Sequence, residues 1–501
     1  MKRTSVTVKR KHFRFLADET RVITRPFLPG GLDRFQRIID RVARLTDADA
    51  ARLLDDVMRD FSKRHRNIEN VFRENFQEIL KQVGSGDVLS NHKQLLIGSY
   101  FTMEYSIESA ALFNPSIVLS CDQKDLRPGH ARVILSFRAT GEGHVSSLEF
   151  RSATVTDQNE LILDPLCSKL GTPKQAESMF YDNNLFGLQL IEMSVPEGAD
   201  SSDFPEFLQS NDVLSDLLGR LPESFTLKQL EQVMAQIRSD GAFDAGVTNQ
   251  TLDRVQWFAC SNYEVRFGAD TDISERILFP LSDNERRGIE DARFVRFADG
   301  DEQTYYATYS AFDGNSVQVQ LLETKDFLTF KVSTLNGKHA NSKGMALFPR
   351  KIGGQYAMIS RVDGENLFLM YSHDIRFWHV AHKIQEPDYP WEFVQIGNCG
   401  SPIETEAGWL LLTHGVGPMR RYCLGATLLD LVDPSKILGH LPEPLLAPNA
   451  QEREGYVPNV VYTCGALIHN GELIIPYAMS DSASTVATVS VADLLGALLV
   501  R

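Results

Sequence analysis

Cysteine is scarce in this sequence and never paired. Six cysteines are spread over 501 residues, at Cys121, Cys167, Cys260, Cys399, Cys423 and Cys464, with no Cys-x-x-Cys among them. Neither a disulfide framework nor a zinc site is therefore expected, and reduced, mostly buried thiols are the default. No stretch is apolar for long enough to span a bilayer. Met1 to Phe15 is basic but lacks the uninterrupted apolar core of a secretory leader, so a cytoplasmic chain is the expectation. Positive charge is also in deficit: 51 Lys and Arg stand against 66 Asp and Glu, for a net charge of -15. That balance speaks against a nucleic-acid or acidic-membrane partner, because phosphate backbones attract basic surfaces. It leaves room for a small anion in a locally basic pocket. P-loop, dinucleotide-binding, His-Glu-x-x-His and EF-hand patterns are missing, and nothing marks an activated serine.

The chain is long enough for a large core and more than one unit. Residues 31–83 carry helical spacing: Phe35, Ile38, Ile39, Val42 and Leu45, a cap and restart at Thr46 to Asp49, then Leu53, Leu54, Val57, Met58 and Phe61. Ile68, Val71, Phe72, Phe76, Ile79 and Leu80 suggest a further helix, broken at Ser85-Gly86-Asp87. From about residue 91 the pattern turns to short apolar runs between turn clusters, as in all-β proteins. A second helical stretch covers about 175–240, with Leu214, Leu217, Leu218 and Leu221, then a capped helix from Thr226. Strands are expected to resume near Trp257. The resulting division is an N-terminal helical segment (1–88), a first β unit (89–164), a helical insertion (165–250) and the remaining β units (251–501).

The β portion repeats itself. Val133 to Arg138, Tyr305 to Ala311, Tyr356 to Arg361, Trp409 to His414, and Leu473 to Tyr477 share one plan of strand, polar turn and strand. The last four copies begin roughly 50 to 65 residues apart, near the blade length of a β-propeller. The fold class predicted is mainly β, a five-bladed propeller with the helical insertion after its first blade. At or just past these strands stand Arg138, Arg361, His414 and Asp481. In a propeller such positions converge on one mouth of the central channel.

Three groups carry candidate chemistry. Gly288-Ile289-Glu290-Asp291-Ala292-Arg293 sets two carboxylates beside a guanidinium. Glycoside cleavage needs an acid near the leaving oxygen and, for inversion, a nucleophile on the opposite face. Asp291 is the candidate acid. On an extended segment Glu290 would point away from it, so only one of the pair would face the channel, with the other holding the loop through Arg293. Lys343, Arg361, His414, Arg420, Arg421 and Tyr422 form a basic, amphipathic set suited to an oxyanion or phosphate. Asn114-Pro115-Ser116, Arg138 and His144 to Leu148 offer amide, hydroxyl and guanidinium groups for sugar hydroxyls. Each group also has a plain reading: an ion-paired turn, a solvated face, an Asx turn.

Together the motifs resemble glycoside hydrolase family 130, the β-mannoside phosphorylases and their hydrolytic relatives. The family's hallmark segment is matched at Gly288 to Arg293, with Ala292 in place of proline. Further matches are Phe113-Asn114-Pro115, Leu347-Phe348-Pro349, Gly408-Trp409-Leu410-Leu411 leading to His414-Gly415, Tyr422 to Ala426, Glu454 to Val461, and Ile475-Pro476-Tyr477 leading to Asp481. They span about 110–150 and 255–485. The helical segments lie outside this shared core and resemble an extended form of the family.

The resemblance implies a five-bladed propeller and an inverting phosphorylase that needs no cofactor. Asp291 would be the proton donor, acting through a sugar hydroxyl. Asn114, Ser116, Arg138, Glu290 and Asp481 would contact the substrate. Inorganic phosphate, held by Lys343, Arg361, His414 and Tyr422, would be the nucleophile, and a β-mannoside oligosaccharide would yield α-mannose 1-phosphate. One departure is Gln395, which stands where phosphorylases of the family carry a lysine. Hydrolysis, mannosyl transfer and a glycan-binding propeller without catalysis are the competing readings, and the helical additions suit a homo-oligomer interface or a lid.

Overall fold

The computed structural model describes residues 6–84, 89–176, 179–194 and 211–499. The break expected at Ser85-Gly86-Asp87 lies outside them. The first helices run Leu32–Ala43, Asp47–Phe61 and Ile68–Val83. The Thr46 side chain accepts the Asp49 N–H and so starts the second of them, satisfying one of the free donors of a first turn. The strands expected from residue 91 are delayed by one more helix, Asn91–Tyr100. Leu95, Leu96, Ile97 and Gly98 are all buried in it. A helix covered on several sides shows no amphipathic stripe, which is why its sequence reads as a strand-like apolar run. Gly98 is required there, since a Cβ would lie 1.8 Å from the Phe72 carbonyl oxygen. An antiparallel pair of strands, Val22–Pro26 and Thr102–Ser106, brackets this unit and carries it to the β portion.

The second helical unit comprises Asn183–Ser194, Asp212–Arg220, Leu227–Asp240 and Ala245–Ser261. Thr226 and Gln229 cap the third reciprocally. The last helix runs past 250 and contains Trp257, where strands were expected to resume. Its buried Leu252, Val255, Phe258 and Ala259 recur every three or four residues, and Asp244 accepts the N–H groups of Gly246 and Val247 to start it. The next strand is Tyr263–Arg266.

The strands form antiparallel sheets. Ala111–Leu119, Ala131–Thr140 and Ser146–Val155 lie side by side, edged by Leu161–Leu163. Gly288–Asp299, Glu302–Phe312, Val317–Thr324 and Thr329–Thr334 follow, edged by Tyr263–Arg266. One parallel pairing, Gly288 with Ser146, joins these two sets. Next come Ala346–Leu347, Tyr356–Ser360, Leu367–Ser372 and Val380–Gln385. Gln395–Asn398, Gly408–Gly417, Arg421–Leu429 and Ile437–His440 make another set. The last holds Val461–Tyr462, Glu472–Met479 and Ala483–Ser490, with the early strand Val8–Arg10 on its edge.

Every repeated segment found in the sequence lies in a strand with partners on both sides. Such strands bury both faces, so Leu410, Leu411 and Leu412 are all inaccessible and read as continuous apolar runs. Of the six unpaired cysteines, Cys399, Cys423 and Cys464 are buried, while Cys121 is exposed. Among the described residues no helix is long and apolar enough to cross a membrane.

Candidate active site

A polar cavity of about 340 Å³ opens where the sheets meet. Asn114, Arg138, Glu290, Asp291, Lys343, Arg361, His414, Tyr422 and Asp481 all line it. Of the residues singled out in the sequence, Ser116, Arg421 and the His144 to Leu148 stretch do not line it. A second cavity of about 340 Å³, at Ile117, Leu119, Phe294, Pro349, Ile403 and Leu467, is walled mainly by apolar side chains, with Arg296, Arg350 and Glu404 also on its lining. The candidate catalytic groups belong to the first.

Both carboxylates of the 288–293 segment face the cavity, against the alternation expected of an extended strand. The pairing with Glu302–Phe312 slips between Glu290 and Arg293, and Asp291 adopts φ +56°. A bulge of this kind re-aims a side chain. Arg293 is not the partner of Glu290 either. It donates Nη1 to the Asp291 carbonyl (2.9 Å) and Nη2 to the Tyr462 hydroxyl (2.7 Å), bracing the bulge from behind. Glu290 instead accepts from Arg138 Nη2 at 2.7 Å and from Lys343 Nζ at 3.2 Å.

A second bulge explains Ser116. The register between Ala111–Leu119 and Ala131–Thr140 slips between Phe113 and Ser116, and Asn114 takes φ +48°. Asn114 is thereby turned into the cavity, where its Nδ2 donates to Asp291 Oδ1 at 2.6 Å. Ser116 stays in the ladder, wholly buried, its hydroxyl accepting the Phe294 N–H at 3.3 Å. It cannot contact a substrate from there. Asp481 also has a left-handed backbone, φ +51°. Non-glycine residues rarely adopt it, Asn and Asp most readily, and each such residue stores about 1 kcal/mol or more. All three, Asn114, Asp291 and Asp481, converge on this cavity.

On the far wall, Arg361 Nη1 lies 3.2 Å from His414 Nε2. The His414 ring stacks on Tyr422 at 5.9 Å, 16° between planes, and meets Tyr462 edge-on at 5.1 Å. Gly397 must be glycine, because a Cβ would fall 2.4 Å from His414 Cε1. Arg420, also left-handed, holds its guanidinium 5.9 Å from the Tyr422 ring centre.

The electrostatics separate the groups. Burial alone would raise the proton affinity of Asp291, but Arg138, Arg293, the Asn114 amide and Lys343 outweigh it and hold the carboxylate below its ordinary range. Asp481 is pushed up to about 6, by burial first and then by Asp291, with Arg138 and Arg420 opposing. His414 is driven well below its usual value by burial, then by Arg361 and Arg293. It is therefore a neutral hydrogen-bonding group at pH 7 and not a cation of the clamp.

Arg293, Tyr462 and Asn398 also line the cavity. Arg293 was legible only as a neighbour of the acids. Tyr462 and Asn398 carried no signal of their own. Among the described residues no three His, Cys, Asp or Glu side chains are grouped to hold a metal ion.

A family model described as β-1,4-mannooligosaccharide phosphorylase matches residues 264–499. The 1,2-β-oligomannan phosphorylase of Thermoanaerobacter sp. is 34% identical over 227 residues, 44% of this chain and 75% of that protein. The β-1,2-mannobiose phosphorylase of Listeria innocua is 31% identical over 225 residues, 44% of this chain and 62% of that protein. A solved structure of a Listeria innocua β-1,2-mannobiose phosphorylase with β-1,2-mannobiose superposes with a TM-score of 0.45 at 21% identity, covering 79% of this chain and 94% of that one. With a 34% identical relative matched over three quarters of its length, and the family model matching residues 264–499, the chain belongs to glycoside hydrolase family 130.

Proposed function

We propose that this protein is an inverting β-mannoside phosphorylase, working in the cytoplasm without a cofactor and built on a five-bladed propeller. The observation that carries the reading is one cavity with a carboxylate cluster on one wall and a guanidinium free of carboxylates on the other. Glu290, Asp291 and Asp481 stand with Arg138 and Lys343. Among the described residues, Arg361 pairs with neutral His414 and with no carboxylate. The five sets of strands described above support the blade count, and the helices before 89 and after 164 are read as additions to the propeller. The named activities of the relatives support the substrate class.

The chemistry follows from the arrangement. The mannosyl unit sits between the walls, its hydroxyls held by Asn114, Arg138, Glu290 and Asp481. A phosphate oxygen from the Arg361 side, with His414 and Tyr422 beside it and Lys343 reaching in from its ion pair with Glu290, attacks C1 opposite the leaving oxygen. The C1–O bond breaks and the product is α-mannose 1-phosphate. The leaving oxygen takes a proton, passed from Asp291 through a sugar hydroxyl. In the empty cavity Asp291 is ionised, held so by cations. An arriving phosphate neutralises part of that field and raises the proton affinity of Asp291. The phosphate monoanion supplies the proton, so its two protons end on the leaving alcohol and the sugar phosphate.

A second reading is inverting hydrolysis. It is favoured by neutral Gln395 on the phosphate wall and by two carboxyls, Asp291 and Asp481, whose proton affinities are set apart. Incubating β-1,2- and β-1,4-mannobiose with and without phosphate decides between them. Phosphate-dependent release of α-mannose 1-phosphate is expected. Mannose released at an equal rate without phosphate replaces phosphorolysis by hydrolysis.

A further inference from the structure

Protein interiors seldom leave buried polar atoms without partners, yet one wall of the cavity collects several. Asn398 is 1% exposed and lines the cavity, and neither its Oδ1 nor its Nδ2 has a hydrogen-bond partner. Gln395 Nε2 and Arg361 Nε, from two other cavity-lining residues, are buried and equally bare. Gln395 and Asn398 come from the two ends of one strand, Gln395–Asn398, paired with the strand that carries His414. Arg361 reaches the same His414 from the preceding sheet. The bare groups thus belong to residues that line one cavity together with that imidazole.

Their chemistry is specific. Arg361 and Gln395 offer donors. Asn398 offers one donor and one acceptor whichever way its amide is turned. Two of the cavity's carboxylates, Glu290 and Asp291, are engaged elsewhere, with Arg138 and Lys343. The Arg361 side is thus the half that attracts an anion, with the Arg361 guanidinium and that of Arg420 near Tyr422, but with Gln395 where the family carries a lysine. An anion seated there needs several oxygens for the donors and one hydroxyl for the Asn398 carbonyl. Phosphate near neutral pH has that P–OH, and sulfate does not.

We propose that Asn398 and Gln395, with Arg361, form a hydrogen-bonding seat for protonated phosphate, in which two neutral amides stand in for the missing lysine and the Asn398 acceptor excludes sulfate. This rests on the phosphorylase reading. It assigns Asn398 as a specificity-determining residue and makes a phosphate that keeps a P–OH the form that binds.

The test is phosphorolysis of β-1,2-mannobiose with inorganic phosphate varied, in the wild type, Asn398→Ala and Gln395→Ala. Asn398→Ala is expected to raise KM for phosphate about tenfold or more, the loss of a hydrogen bond to a charged ligand. KM for mannobiose and the melting temperature stay close to wild type. Gln395→Ala moves KM for phosphate in the same direction and answers the question if Asn398→Ala does not fold. Sulfate at about ten times the phosphate concentration leaves the wild type uninhibited and inhibits Asn398→Ala. An unchanged KM for phosphate in the folded variant, or sulfate inhibiting the wild type at concentrations near KM for phosphate, overturns the seat while phosphorolysis stands. If the wild type turns over equally without phosphate, the phosphorylase reading falls by itself. Calorimetry with inorganic phosphate then judges the seat: binding weakened by Asn398→Ala keeps it, and no binding removes it.

Discussion

Asp291→Asn tests the coupling at the centre of the site. Asparagine tolerates the left-handed backbone that Asp291 occupies at φ +56°, so the bulge is expected to persist. In the proposed role of proton donor, Asp291 would contribute about 10²- to 10⁴-fold to turnover, and the variant should lose that much in kcat. The more telling effect lies on Asp481, whose carboxyl is raised from 3.8 to about 6 by burial and then by Asp291. A carboxyl raised in the folded state destabilises the fold as pH climbs from about 4 to about 6, because the folded protein gives up its proton later than the unfolded chain. The full shift corresponds to about 3 kcal/mol, an upper bound for a group that still meets solvent. Removing the Asp291 charge leaves the larger burial contribution, so part of that pH-dependent loss should disappear. Asp291 itself acts in the opposite sense, since its lowered carboxylate stabilises the fold above about 4 and loses that effect only in stronger acid. The two windows do not overlap. Melting temperature measured from pH 4 to 7 for wild type, Asp291→Asn and Asp481→Asn resolves them. Both variants should lose less stability than wild type between pH 4 and 6, Asp481→Asn the least. An Asp291→Asn curve parallel to wild type over that interval refutes the shared field, and with it the geometry that places the two acids together.

Other outcomes follow from single contacts. Arg361→Met should raise KM for phosphate about tenfold to a hundredfold while leaving KM for the mannoside near wild type, measured by varying each substrate in turn. Gly288→Ala puts a Cβ 2.8 Å from Ser146 Cβ at φ +147°, and should cost about 2–4 kcal/mol by melting together with activity, because Ser146 Oγ accepts from Arg138 Nε. Thr226→Ala removes the reciprocal cap with Gln229 and should lower stability by about 1 kcal/mol without touching kcat.

The strand repeat was legible because interior strands bury both faces and leave an apolar signature, as in Trp409 to Leu412. The helix Asn91–Tyr100 was not, because a helix packed on several sides loses the stripe that identifies it. Trp257 misled for a related reason: an aromatic cluster near a strand start is equally at home on a buried helix face. Within the site, the acidic, basic and amide residues were readable by type and spacing. Their orientation was not. Glu290 and Asp291 share one wall, and Ser116 is withdrawn from it, because two strands bulge. A register slip leaves no mark in composition or periodicity beyond the Asn or Asp at its turning point. Asn398 was invisible because only the surrounding packing makes its unpaired amide conspicuous.

The left-handed backbone at Asn114, Asp291 and Asp481 has a bearing on how the protein ages. Asparagine and aspartate interchange there with little change of shape, so spontaneous deamidation of Asn114 would be silent to the fold and damaging to the chemistry. It would set a fourth carboxylate among Glu290, Asp291 and Asp481, opposite the oxygen that Asn114 now supplies with a hydrogen bond. The usual route to deamidation begins with attack by the next residue's backbone nitrogen. That residue is Pro115, whose nitrogen carries no hydrogen. The same proline that reads as a turn signal in the sequence thus protects the neutral side chain whose amide donates to Asp291.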